Sequence, residues 1–202
     1  MLDRQSERLG PGPRIAPMQT GELTQEAMEV RAELRQIAGR DVPNPTLADT
    51  PEIVATMLRH PRLFRATIQL GLQLQGASAL PARDRELMVL RLAWLCQAPY
   101  EFGEHVLIAR REGIGRTEVE RIIAGSEAPG WSDYERALLR AVEELRADAT
   151  ITDATWSVLA RHLNEQQLIE LPILVGHYQM AAYYQNALRL RLHAGNHGLA
   201  AR

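Results

Sequence analysis

Apolar residues recur at intervals of three and four along most of the chain, which is the spacing of amphipathic α-helices. The densest such stretch is Arg83–Gly113, and Gln97–Ala98–Pro99 divides it in two. Proline is disfavoured inside a helix and well placed in its first turn. The pattern therefore predicts one helix over Ala82–Cys96 and another over Pro99–Glu112, and we expect the rest of the fold to be organised around this pair.

Further helices are predicted on both sides of this pair, joined by short connections. No stretch shows the sustained alternation of a strand, and no Asn-Gly or Asp-Gly hairpin signal occurs. We therefore predict an all-α fold of about eight or nine helices. The other predicted helices are Glu22–Gly39, Pro51–His60, Pro61–Gly76, Glu118–Ala124, Ser132–Ala147, a segment from Thr152 or Asp153 to Leu163, a segment that begins at Asn164, and Ile173–Leu192.

Three helix starts carry the capping-box pattern, in which a Ser, Thr or Asn cap is followed three residues later by Glu or Gln. The predicted N-caps are Thr117, Ser132 and Asn164. Pro172 is expected either to begin the last helix or to kink it.

Changes in composition suggest four regions. Residues 1–22 are rich in Pro, Gly, Arg and Ser and are expected to form a flexible arm. Residues 23–76 form N-terminal helices, with a proline-rich loop at Asp41–Thr50, and residues 77–192 form the main helical core. Residues 193–202 are expected to be a loose tail, although His193 and His197 lie four apart in it.

The best candidates for chemistry are Glu86, Glu101 and His105 on the central pair of helices. Glu101 and His105 are four apart and share a flank with apolar side chains, while Glu86 lies on the apolar side of its own helix. Buried ionisable groups are paired, neutral or functional, since an unpaired buried charge is costly. The three side chains predict either an acid–base site or a satisfied Glu–His pair that braces two helices.

Three other side chains are further candidates for a functional site, and each also has a structural interpretation. Cys96 is either a reactive thiol near His105 or, as we favour, a small buried apolar residue. Tyr100 lies off the acid–base flank and either closes over a pocket or packs. His177 shares a helix face with Tyr184 and could form the opposite wall of a pocket, or a helix interface. No His-Glu-x-x-His or Glu-x-x-His pattern is present, so no metal site is predicted.

Composition narrows the function classes. The chain has 202 residues, a net charge of −2 and 46% apolar residues, as expected of a globular protein with a sizeable core. No basic tract suggests nucleic-acid binding, and no apolar run or signal-like N-terminus suggests a membrane or secretion, so a cytoplasmic location is expected. All 23 basic residues are arginine, which excludes lysine Schiff-base, pyridoxal-phosphate and Walker A chemistry. The single cysteine excludes an intrachain disulfide.

The central stretch resembles the carboxymuconolactone decarboxylase family, which includes the alkyl hydroperoxidase D-like proteins. The resemblance rests on Arg83-x-x-Glu86, then Tyr100–Glu101–Phe102-x-x-His105, then Ala109-x-x-x-Gly113–Ile114. It extends over about 50–192 and implies an all-α fold whose subunits pack through helices into trimers or hexamers. It also implies that Glu86 and His105 correspond to the proton-relay acid and histidine of the hydroperoxidase branch.

That branch uses two cysteines, and the matching positions here hold Ala98 and Glu101. Cys96 is displaced by two residues and has no resolving partner in the chain, so a dithiol peroxidase cycle is not expected. The decarboxylase branch, whose motif is closer, acts on a carboxylated lactone from aromatic-compound catabolism without an organic cofactor. By this resemblance His105 would be the acid–base residue, Glu101 and Glu86 its partners, and Arg91 a carboxylate anchor.

Three functions therefore remain open. The first is a cofactor-free lyase, or another acid–base enzyme, that acts on a small carboxylated metabolite. The second is a peroxidase-related protein with peroxiredoxin activity that uses Cys96 alone. The third is a non-catalytic oligomeric protein that binds ligands, in which Glu101 and His105 only support packing.

Overall fold

Helices are the regular secondary structure of the part of the chain that the structure describes. In the computed structural model this part covers residues 2–37, 47 and 50–202, and it contains no strand. The all-α prediction is confirmed, with ten helices among the described residues. They are α1 (Leu2–Leu9), α2 (Gln25–Ile37), α3 (Glu52–Met57), α4 (Pro61–Gly76), α5 (Ala82–Leu95), α6 (Pro99–Arg111), α7 (Arg116–Ala124), α8 (Asp133–Asp148), α9 (Asp153–Leu159) and α10 (Glu165–Leu188), with short 3₁₀ turns at Thr20–Glu22 and Gly198–Ala200.

Helix α5 is the centre of the main core. Eight consecutive residues, 86–93, are buried and six of them are apolar, so apolar side chains face outward from nearly every side of this helix. A helix that is apolar all round has to be enclosed by others. Helices α6, α7, α8 and α10 pack against it, as the sequence pattern of the central pair predicted.

The three buried charged residues of α5 each have a partner on a neighbouring helix. Asp84 accepts a hydrogen bond from the Tyr134 hydroxyl of α8 at 2.7 Å. Arg91 donates to Glu143 of α8 at 2.8 Å. Glu86 contacts His105 of α6. Since a buried charge without a partner is strongly destabilising, these contacts fix how the neighbouring helices sit against α5.

A tight turn joins α5 to α6. Gln97 takes a left-handed backbone conformation with φ +49°, which is uncommon for a residue other than glycine. The Asn186 side chain of α10 donates to the carbonyls of Cys96 and Gln97 at 3.2 and 3.4 Å. Pro99 then opens α6 in its first turn, as predicted.

Two predicted helix boundaries need correction. Ser132 and Asn164 cap their helices with complete capping boxes, as predicted, but Thr117 does not. Helix α7 begins earlier, at Arg116, and its N-cap is Gly115 without a side-chain cap. Pro172 neither starts nor divides the last helix, because α10 continues through it and packs against α5, α6 and α8.

Both ends of the chain are packed, where the sequence predicted a flexible arm and a loose tail. Leu199 donates its amide hydrogen to the Gln5 side chain at 2.7 Å, and Arg14 donates its own to the Leu188 carbonyl at 2.9 Å. Leu199 is also part of the main core. Composition does not reveal this docking, because each end is held by residues far away in the sequence.

A second, smaller core lies under the N-terminal helices. Its buried members are Met18, Ala27, Val30, Leu58 and Phe64. Helix α4 connects the two cores, since Phe64 belongs to the smaller one and Leu74 to the main one. The predicted loop Asp41–Thr50 lies almost wholly outside the described residues. Among the described helices none combines the length and the apolar character required for a membrane span.

Candidate active site

A cavity of about 280 Å³ lies between α4, α6 and α10. Helix α6 supplies the ionisable side chains that the sequence singled out, and α4 and α10 supply the other walls. Its lining is mostly apolar and aromatic, with a few polar groups that converge, which is the usual form of a small-molecule site. The lining residues are Phe64, Thr67, Ile68, Gly71, Leu72, Gln75, Tyr100, Glu101, Glu104, His105, His177, Tyr178, Ala181, Tyr184 and Gln185.

His105 is held from behind by Glu86. The distance from His105 Nδ1 to Glu86 Oε2 is 2.8 Å, and both side chains are buried. A carboxylate at Nδ1 favours the tautomer with the proton on that nitrogen and fixes the plane of the ring. The other ring nitrogen, Nε2, is then the one that can interact with a molecule in the cavity. The Tyr178 ring meets the imidazole edge to face, 4.9 Å between ring centres.

Glu101 lines the same cavity but has no hydrogen-bond partner within the structure. Both of its carboxyl oxygens are buried, and neither has a donor or an acceptor nearby. Burial raises the pKa of Glu101 well above its usual value, because a charged carboxylate is disfavoured without water or a cation. This shift favours the acid form, which can donate a hydrogen bond or a proton.

The opposite wall is formed by α10 and α4. His177 lines the cavity, its Nδ1 is buried without a partner, and burial followed by the nearby His105 lowers its pKa. Its Nε2 lies against Gly71 of α4, where a Cβ would come within 3.3 Å. The Tyr178 hydroxyl accepts a hydrogen bond from Gln75 at 2.6 Å. The lowered pKa of His177 favours the neutral ring in the cavity wall.

The C-terminal segment supports the α6 side from outside. Glu104 accepts a hydrogen bond from Asn196 at 2.6 Å and lies 2.5 Å from His193 Nε2. Asn196 also donates to the Tyr100 carbonyl at 2.9 Å. Tyr100, placed off the acid–base flank by the helical wheel, nevertheless lines the cavity, because it stands in the first turn of α6. The tail therefore positions two residues of the cavity wall.

The structure brings together most of the residues that the sequence singled out, but not all. His105, Glu101, Tyr100 and His177 line one cavity, and Glu86 stands directly behind His105. Glu101 and His105 share this cavity without a hydrogen bond between them, so among the described residues it is Glu86 that holds the imidazole by a hydrogen bond.

The structure contradicts the role that was predicted for Arg91. The resemblance implied a carboxylate anchor, yet its guanidinium pairs with Glu143 at 2.8 Å and donates to the carbonyls of Ile122 and Ile123 at 3.1 and 2.8 Å. It thus joins α5 to α7 and α8, and no arginine of the described chain lines the cavity.

Cys96 belongs to a different part of the molecule. It is buried, and its Sγ donates to the Gln179 side-chain oxygen at 3.4 Å. Burial raises the pKa of the Cys96 thiol, and Arg146 only partly offsets this. The thiol lines a second cavity and does not reach the one with His105, which agrees with the apolar alternative that the sequence favoured.

The sequence patterns did not predict that α4 forms a wall of the cavity. Phe64, Ile68 and Gln75 are 30 or more residues before His105, and a helical wheel gives no information about which helix lies opposite. One local signal was present, because Gly71 sits inside a helical pattern, and such a glycine often marks a close approach. Within the described residues no three His, Cys, Asp or Glu side chains are placed to hold a metal ion.

Comparison with known proteins supports the sequence motifs. Residues 61–144 match the profile of the carboxymuconolactone decarboxylase family. This interval contains α5 and α6, and so Glu86, Glu101 and His105, but it ends before α10. No curated protein sequence matches the chain.

Several solved structures share the fold. An uncharacterized peroxidase-related protein with an alkylhydroperoxidase AhpD core, from Ralstonia eutropha JMP134, superposes with a TM-score of 0.72 at 17% identity, over 94% of this chain and 99% of its own. An uncharacterized peroxidase-related protein from Silicibacter sp. TM1040 gives 0.69 at 17% identity, over 87% and 89%.

A third structure is a protein of unknown function from Agrobacterium tumefaciens, proposed to be an antioxidant defence protein AhpD. It gives a TM-score of 0.63 at 21% identity, over 68% of this chain and 95% of its own. Residues 61–144 therefore resemble the carboxymuconolactone decarboxylase family, as the sequence motifs predicted, and the chain has an AhpD-like helical fold.

Proposed function

We propose that the cavity between α4, α6 and α10 is the active site of an acid–base enzyme that acts on a small carboxylated metabolite without an organic cofactor. The observation that carries this proposal is the pair of ionisable groups on one wall. Glu101 is buried without a partner and favours its acid form, while His105 is oriented by Glu86. A titratable group in a cavity whose pKa is strongly shifted by burial is typical of an active site.

His105 is the proton acceptor or donor in this proposal. With Nδ1 bound to Glu86, Nε2 is directed to the cavity, and the carboxylate stabilises the imidazolium that forms when Nε2 takes a proton. Glu86 acts through His105 and does not itself line the cavity. It is therefore a positioning residue.

Glu101 in its acid form supplies a donor for the substrate. Because the described lining contains no arginine, a substrate carboxylate would be held by hydrogen bonds, from the Glu101 acid and from the hydroxyls of Tyr100 or Tyr184. The apolar side chains Phe64, Ile68 and Leu72 would contact the carbon skeleton. A cavity of about 280 Å³ restricts the substrate to a small molecule.

Decarboxylation is the reaction that this set supports best. The bond between the carboxylate carbon and its neighbour breaks, carbon dioxide leaves, and the electron pair passes into the conjugated system of the substrate. The carbon that takes up the charge then receives a proton from His105 or Glu101. Chemistry of this kind agrees with the family domain and requires no redox change.

Carbon dioxide release from a panel of carboxylated lactones tests the proposal. We expect turnover by the wild type and a loss of roughly 100-fold or more in kcat for His105→Ala, since general acid–base catalysis contributes that much. His162→Ala is the matched control, because His162 is an exposed histidine away from the cavity. Equal turnover by His105→Ala and wild type would reject the role of His105, and no turnover on any carboxylated substrate would reject the decarboxylase proposal.

A thiol peroxidase is the second candidate function. It is favoured only by the similarity of the fold to that of peroxidase-related proteins. Cys96 is buried, its pKa is raised, and it faces a cavity other than that of His105. A thiolate is needed for attack on a peroxide. Peroxide consumption that is lost in Cys96→Ser and retained in His105→Ala would favour this candidate over the acid–base enzyme.

A further inference from the structure

A second cavity, of about 420 Å³, lies on the other side of α10 from the candidate active site. It is formed by α1, the segment that follows it, the C-terminal part of α8 and the second half of α10. Cys96 contributes from the end of α5. The lining residues are Glu7, Arg8, Arg14, Cys96, Arg146, Gln179, Tyr183, Asn186, Ala187 and Arg189. Four of these ten residues are arginine, and only one is acidic.

The four arginines lack carboxylate partners in the described chain. Some arginines elsewhere do have such partners, as Arg65 has Glu33 and Arg91 has Glu143. Around this cavity none of the four forms an ion pair, and Glu7 forms none with them. Guanidinium groups stay charged at any physiological pH. Like charges grouped around one cavity repel each other, and an anion bound among them would remove that repulsion.

The arginines from the N-terminal segment are held in place by α10. Arg14 donates from its guanidinium to the Ala187 carbonyl at 3.1 Å and from its backbone to the Leu188 carbonyl at 2.9 Å. The Arg189 side chain lies across Gly10, where a Cβ would come within 2.8 Å of it. The positive φ of Gly10, +56°, and the missing side chain both allow this approach.

Besides the four arginines, the cavity has a hydrogen-bond donor without an acceptor. The side-chain oxygen of Gln179 accepts from the Cys96 thiol, while its amide nitrogen is buried without an acceptor. A buried donor without a partner is costly, so an acceptor within the cavity would stabilise it. The lining thus presents four cations and an unsatisfied N–H to one space.

We propose that this cavity binds a small molecule with at least two negative charges, carried as carboxylates or phosphates. Arginine recognises both groups through paired hydrogen bonds, and both accept several donors at once. The bound anion would bridge α1 and its following segment to α8 and α10, because the four arginines come from all of these parts. The site is separate from the candidate active site and shares no lining residue with it.

Isothermal titration of the full-length protein with pyrophosphate and with citrate, in 0.15 M sodium chloride, tests this. We expect saturable binding of at least one of the two, and the stronger one identifies phosphate or carboxylate as the preferred group. Arg14→Gln and Arg146→Gln should each weaken binding about tenfold, as loss of one charged hydrogen bond implies. Arg161→Gln is the matched control, since Arg161 is an exposed arginine outside the cavity, and it should bind as the wild type does.

Limited proteolysis tests whether a bound anion bridges the N-terminal segment to α8 and α10. Trypsin should cleave the N-terminal segment after Arg8 or Arg14 more slowly when the anion is present, and this protection should be lost in Arg146→Gln, which leaves the cleavage sites unchanged. His105→Ala should bind the anion normally. Absence of saturable binding by either anion, or equal binding by wild type and both cavity variants, would overturn the proposal.

Discussion

Glu101 is the residue on which the candidate site depends most. Three properties meet there: it is 2% exposed, its carboxyl oxygens have no partner, and it lines a cavity beside His105. Core packing alone would favour an apolar side chain at such a position, because burying a polar group without a hydrogen bond is unfavourable. A carboxyl group kept there in its acid form is instead suited to interact with a molecule that enters the cavity.

The pH dependence of stability should report this acid form. An exposed glutamate titrates near 4.5, and burial raises the pKa of Glu101 in the native state. Above pH 4.5 the native state therefore holds a proton that the unfolded chain has lost, so this group's contribution to the free energy of unfolding falls as pH rises. The slope is at most about 1.4 kcal/mol per pH unit until the native pKa is reached.

Glu101→Gln removes the titrating proton without changing the shape of the side chain. We expect the difference in free energy of unfolding, variant minus wild type, to increase in favour of the variant between pH 5 and pH 8. Urea denaturation at each pH measures it, and Glu112→Gln, at the exposed C-terminal end of the same helix, serves as a control. A difference that does not change with pH would mean that Glu101 is ionised in the native state.

For single residues, the sequence predicts correctly which side chains share a face of one helix. It does not predict contacts that depend on which second helix packs against the first. Glu101 and His105 share a cavity because they are four apart on α6, which the helical period determines. Arg91 was expected to anchor a substrate, but its partner Glu143 lies 52 residues further on, in α8. The periodicity of α5 gives the direction of Arg91 from the helix and does not reveal which helix it meets.

At helix ends, too, contacts between residues close in the sequence were predicted, and contacts between distant residues were not. Ser132 and Asn164 were predicted correctly as N-caps, because the partner in a capping box is three residues away. The docking of the C-terminal tail was not predicted. It depends on Asn196, which binds the Tyr100 carbonyl and Glu104, and on Gly103, whose missing side chain makes room for it. Only the folded chain brings these residues together.

Two glycines inside helices allow a matched test of this docking. In α6, a Cβ at Gly103 would overlap the Asn196 side chain, whereas in α10 a Cβ at Gly176 would meet nothing within 4 Å. Gly103→Ala should destabilise the protein by about 1–3 kcal/mol because the tail is displaced. Gly176→Ala should stabilise it by about 0.5–1 kcal/mol, as alanine does in helix interiors. Thermal or urea unfolding measures both, and equal effects of the two substitutions would argue against close packing at Gly103.

The whole molecule has two hydrophobic cores that meet at α4. The smaller core holds α2, α3 and the start of α4, while the main one surrounds α5. Because α4 forms one wall of the candidate active site, the N-terminal helices support that wall from behind. Regions with fewer buried contacts open more readily than the main core. The cavity wall on α4 should therefore be the more dynamic one.

Hydrogen exchange in a core variant tests this arrangement. Leu58 is fully buried in the smaller core, and Leu58→Ala should cost about 2–5 kcal/mol, as such truncations do. We expect amides of α2, α3 and α4 to exchange faster in this variant while those of α5 and α8 change little. Leu139→Ala, a matched truncation of a fully buried leucine in the main core, should instead accelerate exchange in α5 and α8. Uniform acceleration by Leu58→Ala would show that the two cores unfold as one unit.

Association between copies of the chain, predicted from the family resemblance, has a candidate surface on α10. Ile169, Ile173, Met180 and Tyr183 are 63, 47, 40 and 61% exposed, and their spacing of four, seven and three places them along one side of the helix. A contiguous apolar stripe of this kind is typical of a protein–protein contact.

Light scattering after gel filtration tests whether this stripe holds subunits together. We expect the wild type to elute at a multiple of its 22.7 kDa mass, and Ile173→Glu to shift towards the monomer, because a charge in an apolar interface loses its water without gaining a partner. Ile15→Glu is the control, since Ile15 is 44% exposed, as open as Ile173, but lies outside the stripe. A monomeric wild type, or an oligomer that Ile173→Glu leaves intact, would show that subunits do not associate through this face of α10.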